Sequence, residues 1–212
     1  PPSNAALLDR LASEFVESGY DRKAILAAML KSRTYQTSYQ PNDFNTDDVK
    51  YFSHYQPRLL SAEQLLDAIC HVTDIPEIFS GLPVGTKATQ LPAPDLVKND
   101  FLKIFGQPDR QTVCACERTS ESNLSMAIQF FNGPLVYGKL RDEKNSFRKM
   151  IDAGKNDTEI ISQLYQRAVC RLPSETELQA SLDHLISKED RVEALEDICW
   201  AILNTNEFLF QH

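Results

Sequence analysis

The sequence predicts a mainly α-helical fold, a multi-helix bundle with two long irregular loops and little or no β structure. Apolar residues recur with the 3.6-residue period of a helix in most segments of the 212-residue chain. Capping residues precede several of these segments, and two stretches rich in proline or short polar side chains interrupt them. Convincing apolar–polar alternation, the mark of a strand, does not occur in the sequence.

The first forty residues predict a helical hairpin. Its two apolar faces are formed by Leu7, Leu8, Leu11 and Phe15, and by Ile25, Leu26, Met29 and Leu30. We expect Gly19 to end the first helix and Asp21 to cap the second. Residues 35–60 lose the helical period and are rich in turn formers, so they predict a long loop. Ser61 and Gln64 then form a capping box before a third helix.

Residues 74–94 predict a second long loop, because four prolines and two glycines leave no room for a helix or a central strand. Asp95 is expected to cap a short helix that ends at Gly106. We expect residues 1–132 to form a helical region with both loops. Residues 133–212 are expected to form a helical bundle packed on it as one compact unit.

The C-terminal part predicts successive helices. Pro134 suits the first position of a helix that we expect to run to Gly154. Three more follow, with a break at Pro173 and caps at Ser174 and Asp190. A helix is also expected around Leu124, Ala127, Ile128 and Phe131, and brief extended pairs around residues 86–91 and 111–114.

The composition disfavours two classes of partner. The chain has 22 basic and 30 acidic residues, a net charge of −8, whereas nucleic acids and anionic membranes attract clustered Lys and Arg. The longest apolar run, residues 24–30, is far shorter than the roughly 20 residues that a membrane helix needs. We therefore expect no nucleic-acid partner and no membrane span. No leader opens these residues, so we expect any export signal to lie outside them.

The five cysteines follow no disulfide, zinc-knuckle or haem-attachment spacing. Cys70 and Cys199 fall in helical apolar patterns and are expected to be small buried side chains. Cys114 and Cys116 lie in the segment C-A-C-E-R, residues 114–118. Three alternatives are open for this pair: a disulfide, most simply with Cys170, a soft-metal site, or reduced buried thiols.

A second candidate site lies in the first loop. Asp43, Asn45 and Asp47 match the opening of a calcium-binding loop, D-x-N-x-D. The match then fails, because Asp48 stands where the turn glycine belongs and His54 where a bidentate glutamate belongs. The alternative is a series of Asx turns that hold irregular backbone through side-chain hydrogen bonds. Apart from this calcium candidate, no cofactor is expected in this chain.

Hydrolytic and transfer chemistry finds little support. The sequence contains no G-x-S-x-G elbow, H-E-x-x-H motif, phosphate loop or dinucleotide fingerprint. A cysteine nucleophile at Cys114 or Cys116, paired with His71, stays open as an alternative.

Several motifs together resemble the planctomycete-specific family catalogued as domain of unknown function 1553. They are Ser32–Gln36, Arg58-Leu59 with Ala62 and Glu63, Phe101–Gly106 with Pro108, C-A-C-E-R, Asn132-Gly133, Arg171-Leu172-Pro173, and Leu203, Asn204, Asn206, Glu207 and Phe208. The resemblance implies the C-terminal portion of a larger exported protein, with upstream domains that often include a cytochrome-c-like domain. It implies no established activity, and its oxidising compartment favours the disulfide alternative.

We therefore expect a non-catalytic binding or scaffolding module, whose recognition face is formed by the two loops and the C-A-C-E-R segment. The residues expected nearest that face are Arg33, Tyr35, Arg58, Glu63, Asp67, Glu117 and Arg118. The same set could instead form a buried network that fixes the loops. A competing hypothesis is part of a redox or polysaccharide-directed enzyme whose cofactor or catalytic groups lie upstream.

Overall fold

The computed structural model describes residues 2, 4–93, 97–107 and 133–211. Helices α1 to α10 span Ala5–Glu17, Arg22–Leu30, Ala62–Thr73, Asp100–Ile104, Pro134–Arg141, Ser146–Asp152, Asp157–Val169, Glu175–Ser187, Arg191–Leu203 and Asn206–Leu209. Strands β1 (Arg58–Leu59) and β2 (Phe210–Gln211) pair antiparallel, with Arg58 opposite Gln211. The prediction of a mainly α fold with two long loops is confirmed.

The chain divides into two compact units, Pro1–Pro57 and Arg58–Gln211. The first unit holds α1, α2 and the first long loop. The second unit holds the two strands and helices α3 to α10. The predicted division into residues 1–132 and 133–212 stays a prediction, because residues 108–132 lie outside the described chain.

Helix α3 lies at the centre of the second unit and packs against α4, α5, α6 and α7. Its capping box forms as predicted, since the Ser61 hydroxyl accepts from the Gln64 N–H and the Gln64 side chain accepts from the Ser61 N–H. Leu66, Ile69 and the other core residues of this helix share one face and are fully buried. The helix ends at Asp74, which takes the left-handed conformation with φ 62°.

The last third forms the expected set of packed helices. Helix α9 contacts α5, α7 and α8, and its core residues Leu195 and Leu203 are fully buried. Asp190 caps α9, and Ser174 with Glu177 forms the capping box of α8, as predicted. Within the described residues, no helix combines the length and the apolar composition that a bilayer crossing requires.

Two predicted helix boundaries are wrong. A single helix from Pro134 to Gly154 does not form, because α5 ends at Arg141 and α6 begins at Ser146. The side chain of Asn145, which is fully buried, caps α6 by accepting from the Arg148 N–H at 3.0 Å and donates to the Leu140 carbonyl. This buried amide therefore forms hydrogen bonds with the end of α5 and with the start of α6, and these bonds stabilise the break between the two helices.

Helix α4 also starts later than predicted. Its cap is Asn99, whose side chain accepts from the Leu102 N–H at 3.1 Å, and residues 97–99 are not helical. Asp95 itself lies outside the described residues. The predicted end at Gly106 is confirmed, since this glycine has φ 80°.

The predicted extended pair at residues 86–91 is also wrong, because Ala88–Gln90 forms a 3-10 turn. Within the described chain, the extended pairing instead joins β1 to β2, more than 150 residues apart in sequence. The other predicted pair, at 111–114, and the helix around Leu124–Phe131 lie outside the described residues.

Candidate functional site

The residues predicted for a recognition face are spread over both units and one undescribed segment. Arg33 and Tyr35 belong to the first unit, and both are exposed. The Tyr35 ring meets that of Tyr55 edge-on, with the ring centroids 6.4 Å apart. Glu117 and Arg118 lie outside the described residues, as do Cys114 and Cys116.

Asp67, in the second unit with Arg58 and Glu63, uses its carboxylate to hold the second loop. One oxygen accepts from the Ala88 N–H at 2.7 Å, and the other accepts from the Thr89 N–H at 3.1 Å and the Thr89 hydroxyl at 2.7 Å. Arg58 is exposed in β1, and Glu63 is half-buried near the start of α3. For Asp67, these contacts support the loop-fixing alternative over ligand binding.

A buried lysine fixes the same loop from another side, which the sequence analysis missed. Lys139 is only 6% exposed. Its ammonium donates to the Ile75 carbonyl at 3.1 Å and pairs with Glu77 at 2.9 Å. The second Glu77 oxygen accepts from the Asn99 amide at 3.0 Å. Burial beside this group raises the pKa of the Cys70 thiol. Because the buried Lys139 ammonium has both a carboxylate and a carbonyl partner, this network is a structural one.

In the first loop, the organising carboxylate is Asp48. Its Oδ1 accepts from the backbone N–H groups of Lys50 and Tyr51, and its Oδ2 accepts from the N–H and hydroxyl of Ser53. The Ser53 hydroxyl first, and then these backbone groups, hold the pKa of Asp48 well below its usual value. The loop is therefore held by Asx-type hydrogen bonds, the alternative to a calcium site.

The three calcium-ligand candidates are not arranged as ligands by these contacts. Asp43 and Asp47 are exposed, and Asn45 accepts from the Asn42 N–H at 2.6 Å and donates to the Ser53 carbonyl at 3.2 Å. Among the residues that the structure describes, no three His, Cys, Asp or Glu side chains lie close enough together to hold a metal ion. The calcium site stays a prediction that this geometry does not support.

The described cysteines carry free thiols. Cys199 is fully buried in α9, which confirms its predicted role as a small core residue, and burial raises its pKa to about 12. Cys70 is half-buried. Cys170 is exposed at the left-handed end of α7, with φ 57°, and its thiol is free. The predicted bridge from Cys114 or Cys116 to Cys170 stays a prediction, because both of those cysteines lie outside the described residues.

The first unit exposes an unusual amount of apolar side chain. None of its described residues is buried. Seventeen large hydrophobic side chains are exposed in the described chain, and thirteen of them lie in this unit. They are Leu7, Leu8, Val16, Tyr20, Leu26, Met29, Leu30, Tyr35, Tyr39, Phe44, Val49, Tyr51 and Phe52. We call this set the first-unit apolar surface.

The second unit contains a cavity of about 500 Å³ beside α8 and α9, which we call the α8–α9 pocket. Such a volume is typical of small-molecule sites. Most of its walls are apolar, and its polar groups come from both helices. The lining residues are Tyr165, Glu177, Ala180, Ser181, His184, Asp197, Ile198, Trp200, Ala201, Ile202 and Thr205.

At this pocket, the Asp197 carboxylate contacts two basic side chains. His184 on α8 and Lys188, the residue after that helix, both contact the Asp197 Oδ2 on α9, through Nε2 at 3.0 Å and Nζ at 3.2 Å respectively. The side chain of Asp197 is 45% exposed, so solvent and solutes reach it. Of this group, His184 and Asp197 line the pocket, whereas Lys188 does not.

A second charged cluster, centred on Arg171, contacts the lining residue Glu177 from outside the pocket. The Arg171 guanidinium forms a two-point contact with Glu177, at 2.8 Å for each nitrogen, and contacts Glu207 at 2.6 and 2.7 Å. It also lies over the Tyr165 ring, 5.6 Å from the centroid. The Arg171 hydrogen bonds lower the pKa of Glu177 to about 2. Glu177 therefore remains a carboxylate at neutral pH, with both oxygens engaged.

Comparison with known proteins gives a family and no function. Residues 1–185 match the PSD1 family, described as protein of unknown function (DUF1553). The chain belongs to this family. No curated protein and no solved structure matches the chain. The predicted family membership is thus confirmed.

In this PSD1-family chain, the sequence analysis missed the pocket residues His184 and Asp197. No local motif in the sequence marks a pairing between side chains of neighbouring helices. The sequence analysis did single out Arg171 and Glu207 as motif positions, but without a role. Charge is the signal that could have linked Arg171 to Glu207, because the five N–H donors of an arginine need acceptors such as carboxylates.

Proposed function

We propose that this chain is a non-catalytic binding or scaffolding module of a larger exported planctomycete-type protein. The observation that carries the proposal is the first-unit apolar surface. The partners are upstream domains of the same protein, among them the cytochrome-c-like domain that the family resemblance implies. Export to the periplasm or the cell exterior is part of the proposal and rests on the same resemblance.

The described residues of the first unit do not form a buried interior. Helices of 13 and 9 residues are marginal in water unless an apolar face is covered. Here the apolar faces of α1 and α2 are half-exposed, with Leu8 54% and Leu26 52% accessible. Phe44, in the loop that follows, is 98% exposed. Concentrated apolar exposure of this kind marks interaction surfaces, because monomeric proteins rarely keep such patches open to water.

The proposed binding surface consists of apolar side chains, because two carboxylates that hold the long loops are already engaged in hydrogen bonds within the chain. The carboxylate oxygens of Asp48 and Asp67 accept hydrogen bonds from within the chain, so they have little capacity to accept further hydrogen bonds from a partner. Burying the large apolar side chains instead would release free energy in proportion to the area removed from water, about 25 cal/mol per Å². Aromatic residues such as Phe44 are frequent anchors at such interfaces.

The test measures binding between this chain and the upstream region of the parent protein, produced separately. Isothermal titration calorimetry should show saturable binding. The double substitution Leu8→Ala and Phe44→Ala should weaken it about tenfold or more, because truncating interface anchors typically costs over 1 kcal/mol. Both side chains are exposed in this chain, so the substitutions remove little internal packing.

The matched control is Ile186→Ala on α8 in the second unit, which removes a side chain that is 82% exposed. It should leave the affinity unchanged, and circular dichroism should show equal helix content in all variants. The proposal fails if the unmodified chain does not bind the upstream region. It also fails if Ile186→Ala weakens binding as much as the double substitution does.

A further inference from the structure

The α8–α9 pocket has a chemical character that the binding-module proposal does not use. Its walls include the aromatic rings of Tyr165 and Trp200 and the aliphatic side chains of Ile198 and Ile202. Binding of an apolar group in a pocket of about 500 Å³ with such walls is favourable, because it removes apolar surface from water. The few polar groups of the lining then select the polar end group of the ligand.

The charged groups of the lining favour a cation. Among the residues that the structure describes, they are the carboxylates of Glu177 and Asp197. The basic residues that contact these carboxylates, Arg171 and Lys188, are not part of the lining. The chain as a whole carries a net charge of −8, which adds to the attraction for cations and opposes anions.

Asp197 is the carboxylate with capacity left for a ligand. In the described part of the chain, its contacts with His184 and Lys188 both use Oδ2, which leaves Oδ1 to accept a hydrogen bond. Glu177 differs, because Arg171 occupies both of its oxygens. Trp200, three residues further along α9, contributes an aromatic side chain to the same lining.

We propose that the α8–α9 pocket binds a small organic cation, an amine with an apolar body. The apolar body occupies the space between Tyr165, Trp200 and Ile198, and the ammonium group donates to Asp197. This site lies within the second unit and is independent of the first-unit apolar surface. The module would therefore bind a small molecule as well as its protein partner.

The chain itself provides the reporter for the test. Trp200 is its single tryptophan and lines the pocket, so a change in tryptophan fluorescence reports occupancy there. We would titrate the full chain with hexylammonium, hexan-1-ol and hexanoate, which share the alkyl body and differ in end-group charge. Hexylammonium should bind saturably, with Kd of about 1 mM or lower given the usual free energy per ligand atom. Hexan-1-ol should bind about fivefold more weakly, and hexanoate more weakly still.

Two substitutions separate the charge from the space. Asp197→Asn should weaken hexylammonium binding about fivefold and leave hexan-1-ol binding unchanged. Ala201→Phe places a ring in the pocket from an exposed wall position and should abolish binding of both. The matched control is Asp183→Asn, an exposed carboxylate on α8 outside the lining, which should leave all affinities unchanged.

Any one of four results would overturn the assignment. Hexanoate binding as tightly as hexylammonium would remove the charge argument, as would an unchanged hexylammonium affinity in Asp197→Asn. Hexylammonium binding that persists in Ala201→Phe would place the amine elsewhere on the acidic surface. Titration calorimetry on the same samples covers binding that leaves the fluorescence unchanged, and the absence of heat and of fluorescence change together would refute the site.

Discussion

At the scale of single residues, Arg171 forms ion pairs with two carboxylates from different helices. It holds Glu177 from the start of α8 and Glu207 from α10, so that one guanidinium links two helices to the end of α7. Both carboxylates supply two oxygens, which matches the fork of donors that arginine presents. Replacing it with lysine would keep the charge and lose this geometry.

This cluster makes stability depend on pH in a defined direction. The folded-state pKa of Glu177 is lowered from 4.5 to about 2, mainly by the Arg171 hydrogen bonds. A lowered carboxylate pKa contributes stability that is present above pH 4.5 and is lost as the pH falls through about 2. The side chain is 33% exposed, so solvent screening limits the contribution to about 1 kcal/mol.

Urea unfolding at several pH values between 7 and 2 measures this contribution. Wild type should be more stable than Glu177→Gln at pH 7, and the difference should shrink below pH 4.5 because protonation removes the same charge. The glutamine keeps an acceptor for the capping box. Glu175→Gln, an exposed neighbour, is the control and should show no such pH-dependent difference. A difference between wild type and Glu177→Gln that stays constant across the range would contradict the assignment.

At the scale of elements, the sequence predicts helix starts well where the signal is local. Asp21, Ser61, Ser174 and Asp190 all cap the helices expected of them. Such caps bind N–H groups two or three residues ahead, so a short window of sequence contains the whole interaction. The break at Asn145 is harder, because its amide also reaches back to Leu140 and the flanking segments keep an apolar period.

Contacts between elements were not predictable in the same way. Lys139 pairs with Glu77 across 62 residues, and β1 finds β2 at the far end of the chain. The pocket depends on His184 meeting Asp197 from a neighbouring helix. Each pairing needs the fold to exist first, and periodicity shows only that a face is apolar, not which face covers it.

The attachment of the second loop to α3 can be tested through Asp67. Asp67→Asn keeps the shape of the side chain but removes its charge. It also replaces one acceptor oxygen with an NH₂ group, which cannot accept a hydrogen bond from the donors of Ala88 or Thr89. We expect a loss of about 1.5–3 kcal/mol in unfolding free energy, since hydrogen bonds to charged groups contribute about that much. Amide exchange at Ala88 and Thr89 should speed up about tenfold.

Asp183→Asn serves as the control for this experiment, because Asp183 is exposed on α8 and accepts a hydrogen bond from the Gln179 side chain of the same helix. It should leave both measurements unchanged. If Asp67→Asn is as stable as wild type and the exchange at Ala88 does not change, the carboxylate does not hold the loop.

At the scale of the whole molecule, the two units differ in what stabilises them. The second unit has an interior of fully buried residues from α3, α5, α7 and α9, with Phe147 of α6 among the largest. The first unit is held by local hydrogen bonds and by the packing of α1 on α2, without a buried residue among those described. Such local contacts open at low cost, whereas core helices open only with the whole unit.

This contrast predicts unequal hydrogen exchange in the isolated chain. Amides in α1 and α2 should exchange about a hundredfold or more faster than those of the buried stretches of α3 and α9, because opening of the first unit exposes little additional apolar surface. Mass spectrometry of peptides from residues 5–30, 62–73 and 191–203 measures the difference. Substituting Leu195→Ala in the core should speed exchange of the second unit by lowering its stability about 2–5 kcal/mol. The same substitution should leave residues 5–30 as fast as before. Equal protection of the hairpin and of α3 would show that the first unit has an interior of its own, and the argument for an uncovered binding surface would then lose its basis.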